Sequence, residues 1–371
     1  MKESETTPRN PEARRNPFTP TFGCIPPELA GREGLIGNIV EGLENAPGDP
    51  NRASVFVGAR GTGKTVLLAS IAESAEALGW VSANVTAREG MLGEIVVQTR
   101  KKGGHLLRPE TLSRITELHV YGFGFTREVG DAQSTWRSDM TDIVQELNEA
   151  GTGLLITVDE ASTKSAELGI LVDVFQHFVR ERRDVALLLA GLPHNISALI
   201  DDDATSFLRR AFQHSMDKIS TSETAYAMKD TIEGAGRSIE PKALERAAEA
   251  AEGYAFLIQL IGYHAWRQSP RSGTISEEDV EGAIRFARRD MERMVLEPTM
   301  RDLSPREAEY LASMLEDESE SLVADIAQRM GIDANNATQV RRRLIERGVI
   351  GSRGRGRVGF DMPMLRGYLE E

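Results

Sequence analysis

At 371 residues, with 40% apolar and 27% charged positions, the chain is long enough for two or three domains with real cores and has an ordinary globular composition. A single cysteine, Cys24, rules out an internal disulfide, and no His/Cys cluster has zinc spacing. The formal net charge of −13 confines any nucleic-acid contact to a local basic patch, and the longest apolar runs fall far short of the roughly 20 residues of a membrane span, so no membrane contact and a cytoplasmic location are expected.

Residues 1–22 are rich in Pro, Asn, Thr and charge, and are expected to be a disordered arm. The strongest signal follows in "SVFVGARGTGKTVLLASIAESAEALG". Ser54 to Val57 is a short apolar run suited to a buried parallel strand, and from Val66 the apolar residues take helical spacing. Between them Gly58, Ala59, Arg60, Gly61, Thr62, Gly63, Lys64 and Thr65 fit G-x-x-x-x-G-K-[ST] at every fixed position. The glycines let backbone N–H groups close around phosphate oxygens, and the following helix adds the positive end of its dipole. In that chemistry Lys64 neutralises the outer phosphates of ATP and Thr65 offers its hydroxyl to Mg²⁺.

A phosphate loop of this kind needs an outer carboxylate for the metal. "GLLITVDEAS" supplies one: Leu154 to Val158 is continuously apolar and ends in Asp159 and Glu160. Asp159 is expected to support Mg²⁺ and Glu160 to act as general base toward the attacking water. A third apolar run, "DVALLLAGLP", is followed by His194 and Asn195. Asn195 is the better candidate for a γ-phosphate sensor, because its amide can bond phosphate or water, although a turn former would also fit there.

In this order the pieces resemble the AAA+ superfamily, particularly its origin-recognition/initiator clade. "PPELAGREGLIGNIVEGL" looks like the segment that precedes the first strand there and helps hold adenine. "DDATSFLRRAFQHSMDKISTSETAYAMKDTI" is similar to that family's passage from core to helical lid, and Glu240–Ala251, Tyr254–Arg267 and Ser276–Met294 read as lid helices. Arg209 and Arg210 resemble the place from which a neighbouring subunit inserts an arginine, which implies a homo-oligomer; a basic helix end is the plain alternative. Two features depart from the pattern. "GYAFLIQLIGY" has no arginine where the family often carries one reaching the γ-phosphate. "TELHVYGFGFTREVG", with Tyr121, Phe123 and Phe125 alternating, reads as a strand or hairpin inserted in the core.

After Pro298 the chain changes character. Ser304, Pro305 and Glu307 spell a capping box with proline at the first helical position. A second helix spans about Leu322–Met330 and stops at Gly331, and a third spans about Asn336–Arg347. "GVIGSRGRGRVGF" then gives two strand-like runs around a Gly-Arg tip, completing a winged helix-turn-helix pattern. Val340, Leu344 and Ile345 would point inward. Asn336, Thr338, Gln339, Arg341, Arg342, Arg343 and Arg347 on the helix, with Arg353, Arg355 and Arg357 on the wing, are candidates for contact with duplex DNA. A solvated basic face or a protein-docking surface are the other readings.

The expectation is a three-layer α/β P-loop core over 23–200, a helical lid over 201–297 and a winged helix over 298–371. Function is expected to be ATP-dependent switching on duplex DNA with slow or partner-stimulated hydrolysis. The alternatives are a signal-transducing regulator and a helper ATPase of a mobile element or defence system, each with a protein partner.

Overall fold

The computed structural model describes residues 15–21, 23–113 and 129–371. The segment carrying Tyr121, Phe123 and Phe125 lies outside the described residues. The chain divides into two compact units, residues 32–217 with 342–350 and the remainder.

In the first unit, short apolar runs pair into one parallel sheet. They are β1 (Ala53–Val57), β2 (Val81–Thr86), β3 (Leu154–Asp159), β4 (Val185–Gly191) and β5 (Phe212–Ser215), in the order β2-β3-β4-β1-β5. Parallel neighbours cannot be joined by a tight turn, so helices make the crossovers and cover both faces. These are α1 (Glu33–Glu44), α2 (Lys64–Ala77), α3 (Met91–Gly103), α4 (Val129–Glu149), α5 (Ala166–Arg180) and α6 (Pro193–Asp201). Successive strand residues point to opposite faces, so neighbours serve different cores. Leu155 joins Ile39, Phe56 and Ile71 on one side, while Leu154 and Ile156 join Ile95, Trp136 and Phe175 on the other. The three-layer α/β architecture expected from the sequence is the one observed.

Two polar devices hold this frame. Arg52, just before β1, is 4% exposed and donates to the carbonyls of Gly42 (2.8 Å), Leu43 (2.9 Å) and Asn45, collecting the C-terminal carbonyls of α1. It also pairs with Asp184 at 2.8 Å and lies over the Trp80 ring. At the edge strand β2, the Gln98 amide accepts from Asn84 N–H at 2.8 Å and donates to Asn84 C=O at 2.7 Å. A side chain thus takes the backbone bonds that a further strand would have made.

In the second unit, α7 (Thr221–Gly234), α8 (Pro241–Ala250), α9 (Ala255–Gln268) and α10 (Glu277–Met291) pack around Met228, Ala247, Leu257, Ile261 and Ile284. The pair β6 (Ser238–Ile239) and β7 (Thr274–Ile275) ties the loops together. Ser220 and Ser276 each close a capping box. The chain runs from α10 through a π turn, Glu292–Leu296, into α11 (Glu297–Arg301). Part of the segment expected to be a disordered arm is packed here. Phe18 is 2% exposed and its ring fills the place where a Cβ on Gly262 would sit. Asn16 donates to Tyr263 C=O (3.0 Å) and Thr19 N–H to Gln259 (3.1 Å). One buried aromatic suffices to anchor a stretch whose overall composition reads as unstructured.

The C-terminal residues form α12 (Pro305–Met314), β8 (Ser321–Leu322), α13 (Val323–Arg329), α14 (Ala334–Glu346), β9 (Ile350–Ser352), β10 (Arg357–Phe360) and α15 (Leu365–Glu370). The strands pair in the order β8-β10-β9. Ser304 and Glu307 make the capping box read from the sequence, and Gly331 takes φ +62° at the end of α13.

Arg52→Ala would leave the α1 carbonyls and Asp184 without their donor. We expect a loss of about 3 kcal/mol in urea unfolding, the lower end for breaking a buried ion pair because Asp184 is itself half-exposed. An unchanged midpoint would remove Arg52 from this role.

Candidate functional site

The loop between β1 and α2 is shaped by its glycines. Gly61 and Gly63 have φ of +79° and +89°, the left-handed region that side chains disfavour. A Cβ on Gly58 would come within 2.6 Å of Met216 Cβ and 2.8 Å of Thr62 Oγ1. The Thr62 hydroxyl donates to Ala59 C=O at 2.9 Å, tightening the turn from inside. Arg60 and Gly61 are exposed at its tip.

Lys64, the first residue of α2, bends back into the loop. Its ammonium donates to Gly58 C=O at 2.9 Å and Ala59 C=O at 2.7 Å. Burial lowers it from 10.5 to about 8; Asp159 and Glu160 oppose the shift, and Arg60 adds to it. A buried cation held only by neutral carbonyls is poised to exchange them for an anion.

Thr65 Oγ1 donates to Asp159 Oδ2, and Asp159 Oδ1 accepts from the N–H of Glu160 at 2.8 Å. This contact spans the sheet, because β4 lies between β1 and β3. The two oxygens suit a hard cation. Among the described residues no group of three or more His, Cys, Asp or Glu could hold a metal ion. Thr65 and Asp159 therefore fit Mg²⁺ only together with ligands from a phosphate and water, which is how that ion is ordinarily bound.

Glu160 is exposed and has φ +54°, one of four described non-glycine residues with positive φ. Ala161 N–H donates to Ala190 C=O at 2.8 Å, fixing the chain beyond it against β4. The strained backbone turns the Glu160 side chain out of the strand at the sheet's C-terminal edge. At the end of β4, Gly191 accepts from Gly58 N–H at 3.3 Å, joining both strand ends. His194 and Asn195 lie in the first turn of α6. Burial lowers the His194 imidazole, with Glu346 opposing, and among the described residues its Nδ1 has no hydrogen-bond partner. Asn195 is brought to the same end of the sheet, and among the described residues it makes no hydrogen bond to the glycine loop of Gly58–Thr65.

The two arginines after α6 differ. Arg209 donates to the carbonyls of Ile200 (2.9 Å) and Asp201 (3.3 Å), closing the end of α6. Arg210 is exposed and makes no hydrogen bond or ion pair among the described residues. A neighbour that sequence reasoning missed is Gly348, in the stretch 342–350 that groups with this unit. A Cβ there would lie 3.5 Å from Arg60 Cγ and 3.6 Å from Leu192. Nothing local to the sequence pairs residues so far apart.

Over 95% of both chains, the ORC2 protein of Aeropyrum pernix in its ADP form superposes with a TM-score of 0.53 at 14% identity. The fold is the AAA+ P-loop fold. Cdc6p of Pyrobaculum aerophilum is similar at TM-score 0.49 and 15% identity over 95% of each chain. The RuvB Holliday junction branch migration motor of Thermotoga maritima gives 0.46 and 15%, over 92% of this chain and 95% of that one. Residues 293–369 match a family described as a domain of unknown function, DUF8462. No curated protein matches the sequence. In AAA+ terms, the loop of Gly58–Thr65 and the acids Asp159 and Glu160 stand at the C-terminal ends of β1 and β3, where an α/β sheet of this kind presents its ligand site.

The candidate DNA-contacting residues lie on α14 and just past its end at Arg347, in the β9–β10 loop, and at the start of β10 with Arg357. Val340, Leu344, Val349 and Ile350 are buried, whereas Asn336, Thr338, Gln339, Arg342, Arg343 and Arg347 are exposed. Arg341 is half-buried and reaches Ser352 Oγ at 3.2 Å. Arg342 pairs with Glu346 at 2.9 Å, Arg353 with Asp361 at 2.5 Å, and Arg357 approaches Glu320 at 4.0 Å. Arg355, at the tip, is exposed and makes none of these contacts.

Two outcomes follow from this geometry. Glu160→Gly should relieve the left-handed backbone and raise stability by up to about 1 kcal/mol in urea unfolding while removing the carboxylate; destabilisation would show that the side chain supports the turn. A phosphate ligand favours the charged ammonium of Lys64, so its affinity should decline as pH rises through about 8, measured by calorimetric titration. Without ligand the sign reverses: the folded value lies below the unfolded one, so this group's contribution to stability rises from about pH 8 toward 10.5.

Proposed function

We propose that the protein binds ATP with Mg²⁺ at the Gly58–Thr65 loop, hydrolyses it, and acts as a nucleotide-dependent switch on duplex DNA. The observation that carries the nucleotide part is the convergence of Lys64, Thr65, Asp159 and Glu160 at one edge of the sheet. Lys64 would exchange its two carbonyls for phosphate oxygens, and Thr65 and Asp159 would hold the ion. The bound Mg²⁺ would neutralise charge building on the outer phosphates. Glu160 would take a proton from the attacking water, and Asn195 would orient the γ-phosphate. Arg209 closes a helix end in its own chain, so Arg210 is the arginine that would act on a neighbouring copy in a homo-oligomer.

The DNA part rests on the C-terminal residues. Their order of helices and strands fits a winged helix, with α14 as the reading helix and the β9–β10 loop as the wing. Exposed Arg342, Arg343 and Arg347 on the helix and Arg353, Arg355 and Arg357 on the wing would bind phosphates. Arg355 is exposed and makes no hydrogen bond or ion pair among the described residues, so it has none to surrender. Gly348 beside Arg60 supports a link between the end of that helix and the phosphate loop, which is what a switch requires.

Glu160→Gln should keep ATP affinity while turnover falls by about 10²-fold or more, read by phosphate release; undiminished turnover would assign the base elsewhere. Replacing Arg342, Arg343 and Arg355 with Ala together should weaken duplex binding and flatten its salt dependence. Unchanged anisotropy titrations would remove the DNA reading and leave the nucleotide one standing.

A further inference from the structure

The outward face of α10 carries positive charge that the fold does not use. Arg285, Arg289 and Arg293 recur every fourth residue with Arg288 beside them, and all four are exposed. Val280, Ala283, Ile284, Ala287 and Met291 take the buried face. Arg285 and Arg288 make no hydrogen bond or ion pair among the described residues, and Arg289 touches only the Phe286 ring, its guanidinium 5.8 Å from the centroid. Several exposed arginines elsewhere find a carboxylate, as in Arg108–Glu149, Arg246–Glu281 and Arg342–Glu346. In a chain with 57 acidic residues, three neighbouring arginines without an acid are not explained by ion pairing.

The helix dipole does not explain them either. Cations favour the last turn of a helix, where carbonyls are open. Here the helical path continues through the π turn Glu292–Leu296 into α11, and the N–H of Glu292 donates back to Arg288 and Arg289 carbonyls. These arginines therefore stand in mid-helix.

Their surroundings hold the charge outward. Phe286 is 46% exposed, and His264 of α9 stacks on its ring at 5.5 Å. Of the acids on this helix, Asp290 is engaged by His264 Nε2 at 2.9 Å and, more loosely, by Arg293 at 3.6 Å, and Glu281 pairs with Arg246 at 2.6 Å. Arg267 lies over Tyr263 at 5.2 Å on the adjoining helix. Guanidinium groups resting on aromatic rings lose less freedom when they meet an anion.

We infer that this face of α9 and α10 binds the sugar–phosphate backbone of nucleic acid, apart from the winged-helix surface. The 1.5 Å rise per residue sets Arg285 and Arg289 about 6 Å apart along the helix axis with Arg288 between them in height, a cluster of cations facing a polymer of evenly spaced anions. Contacts to phosphate carry no sequence information, so in this role the face contributes affinity and not sequence preference.

The test is a salt series of fluorescence anisotropy on the full chain with a labelled duplex. The variants are Arg285→Gln, Arg288→Gln and Arg289→Gln combined, the matching triple lysine variant, and the triple alanine variant of Arg342, Arg343 and Arg355 (the wing variant). Each phosphate that goes unneutralised reduces the slope of log K against log salt by about 0.9, so the glutamine variant should flatten it by about 2 to 3. The lysine variant should restore it, which loss of folding would not allow. The effect should be the same for duplexes of unrelated sequence, and should persist in the wing variant's background even if the wing substitutions alone change nothing. An unaltered slope in the glutamine variant overturns the inference, as does loss of polyglutamate binding with duplex binding intact.

Discussion

The candidate site of this molecule depends on the parallel pairing of β1 with β4, from Ala53 opposite Leu187 to Val57 opposite Gly191. That register ends both strands at the same level, and Gly58 N–H on Gly191 C=O seals the junction. Beyond it, β1 must turn sharply over a buried layer, and only a glycine loop can do so while keeping its amides turned inward. β3 pairs with β4 one strand further on and ends at the same level, which brings Asp159 within reach of Thr65. The chemistry is thus laid out by strand order, and the side chains complete it.

The same logic explains why the strained and buried groups gather there. Lys64 is held by carbonyls in a partly dry place, and Glu160 sits in a backbone conformation that costs energy. Neither helps the fold. Both are tolerated because the flanking strands, buried on both faces, fix the chain on either side.

Much of this was legible in the sequence. The G-x-x-x-x-G-K-T run and the apolar strand ending in Asp159 and Glu160 are local patterns, and so are the Ser304–Glu307 box and the glycine that stops α13. What escaped was non-local or masked by composition. β2 reads as "VSANVT", with Ser82 and Asn84 interrupting the apolar pattern, because an edge strand relies on side-chain partners such as Gln98. Arg52 carries no local signal of its role, since the carbonyls it collects lie upstream in α1 and its acid is 132 residues away. Phe18 stood in a stretch whose average favours disorder, and its socket at Gly262 lies in a distant helix. Of the two arginines after α6, spacing alone could not say that Arg209 turns back on its own helix and Arg210 does not.

The two margins of the sheet are finished differently. At β2 the Gln98 amide occupies the outer peptide of Asn84, so that side is closed to further growth at its middle. At β5 the other margin is mostly exposed, with Phe212 at 45%. An extended segment from another molecule would meet a donor–acceptor row and an apolar foothold on that side, and a blocked peptide on the other. Any strand exchange between molecules, in assembly or in aggregation, is thereby given a direction, outward from β5.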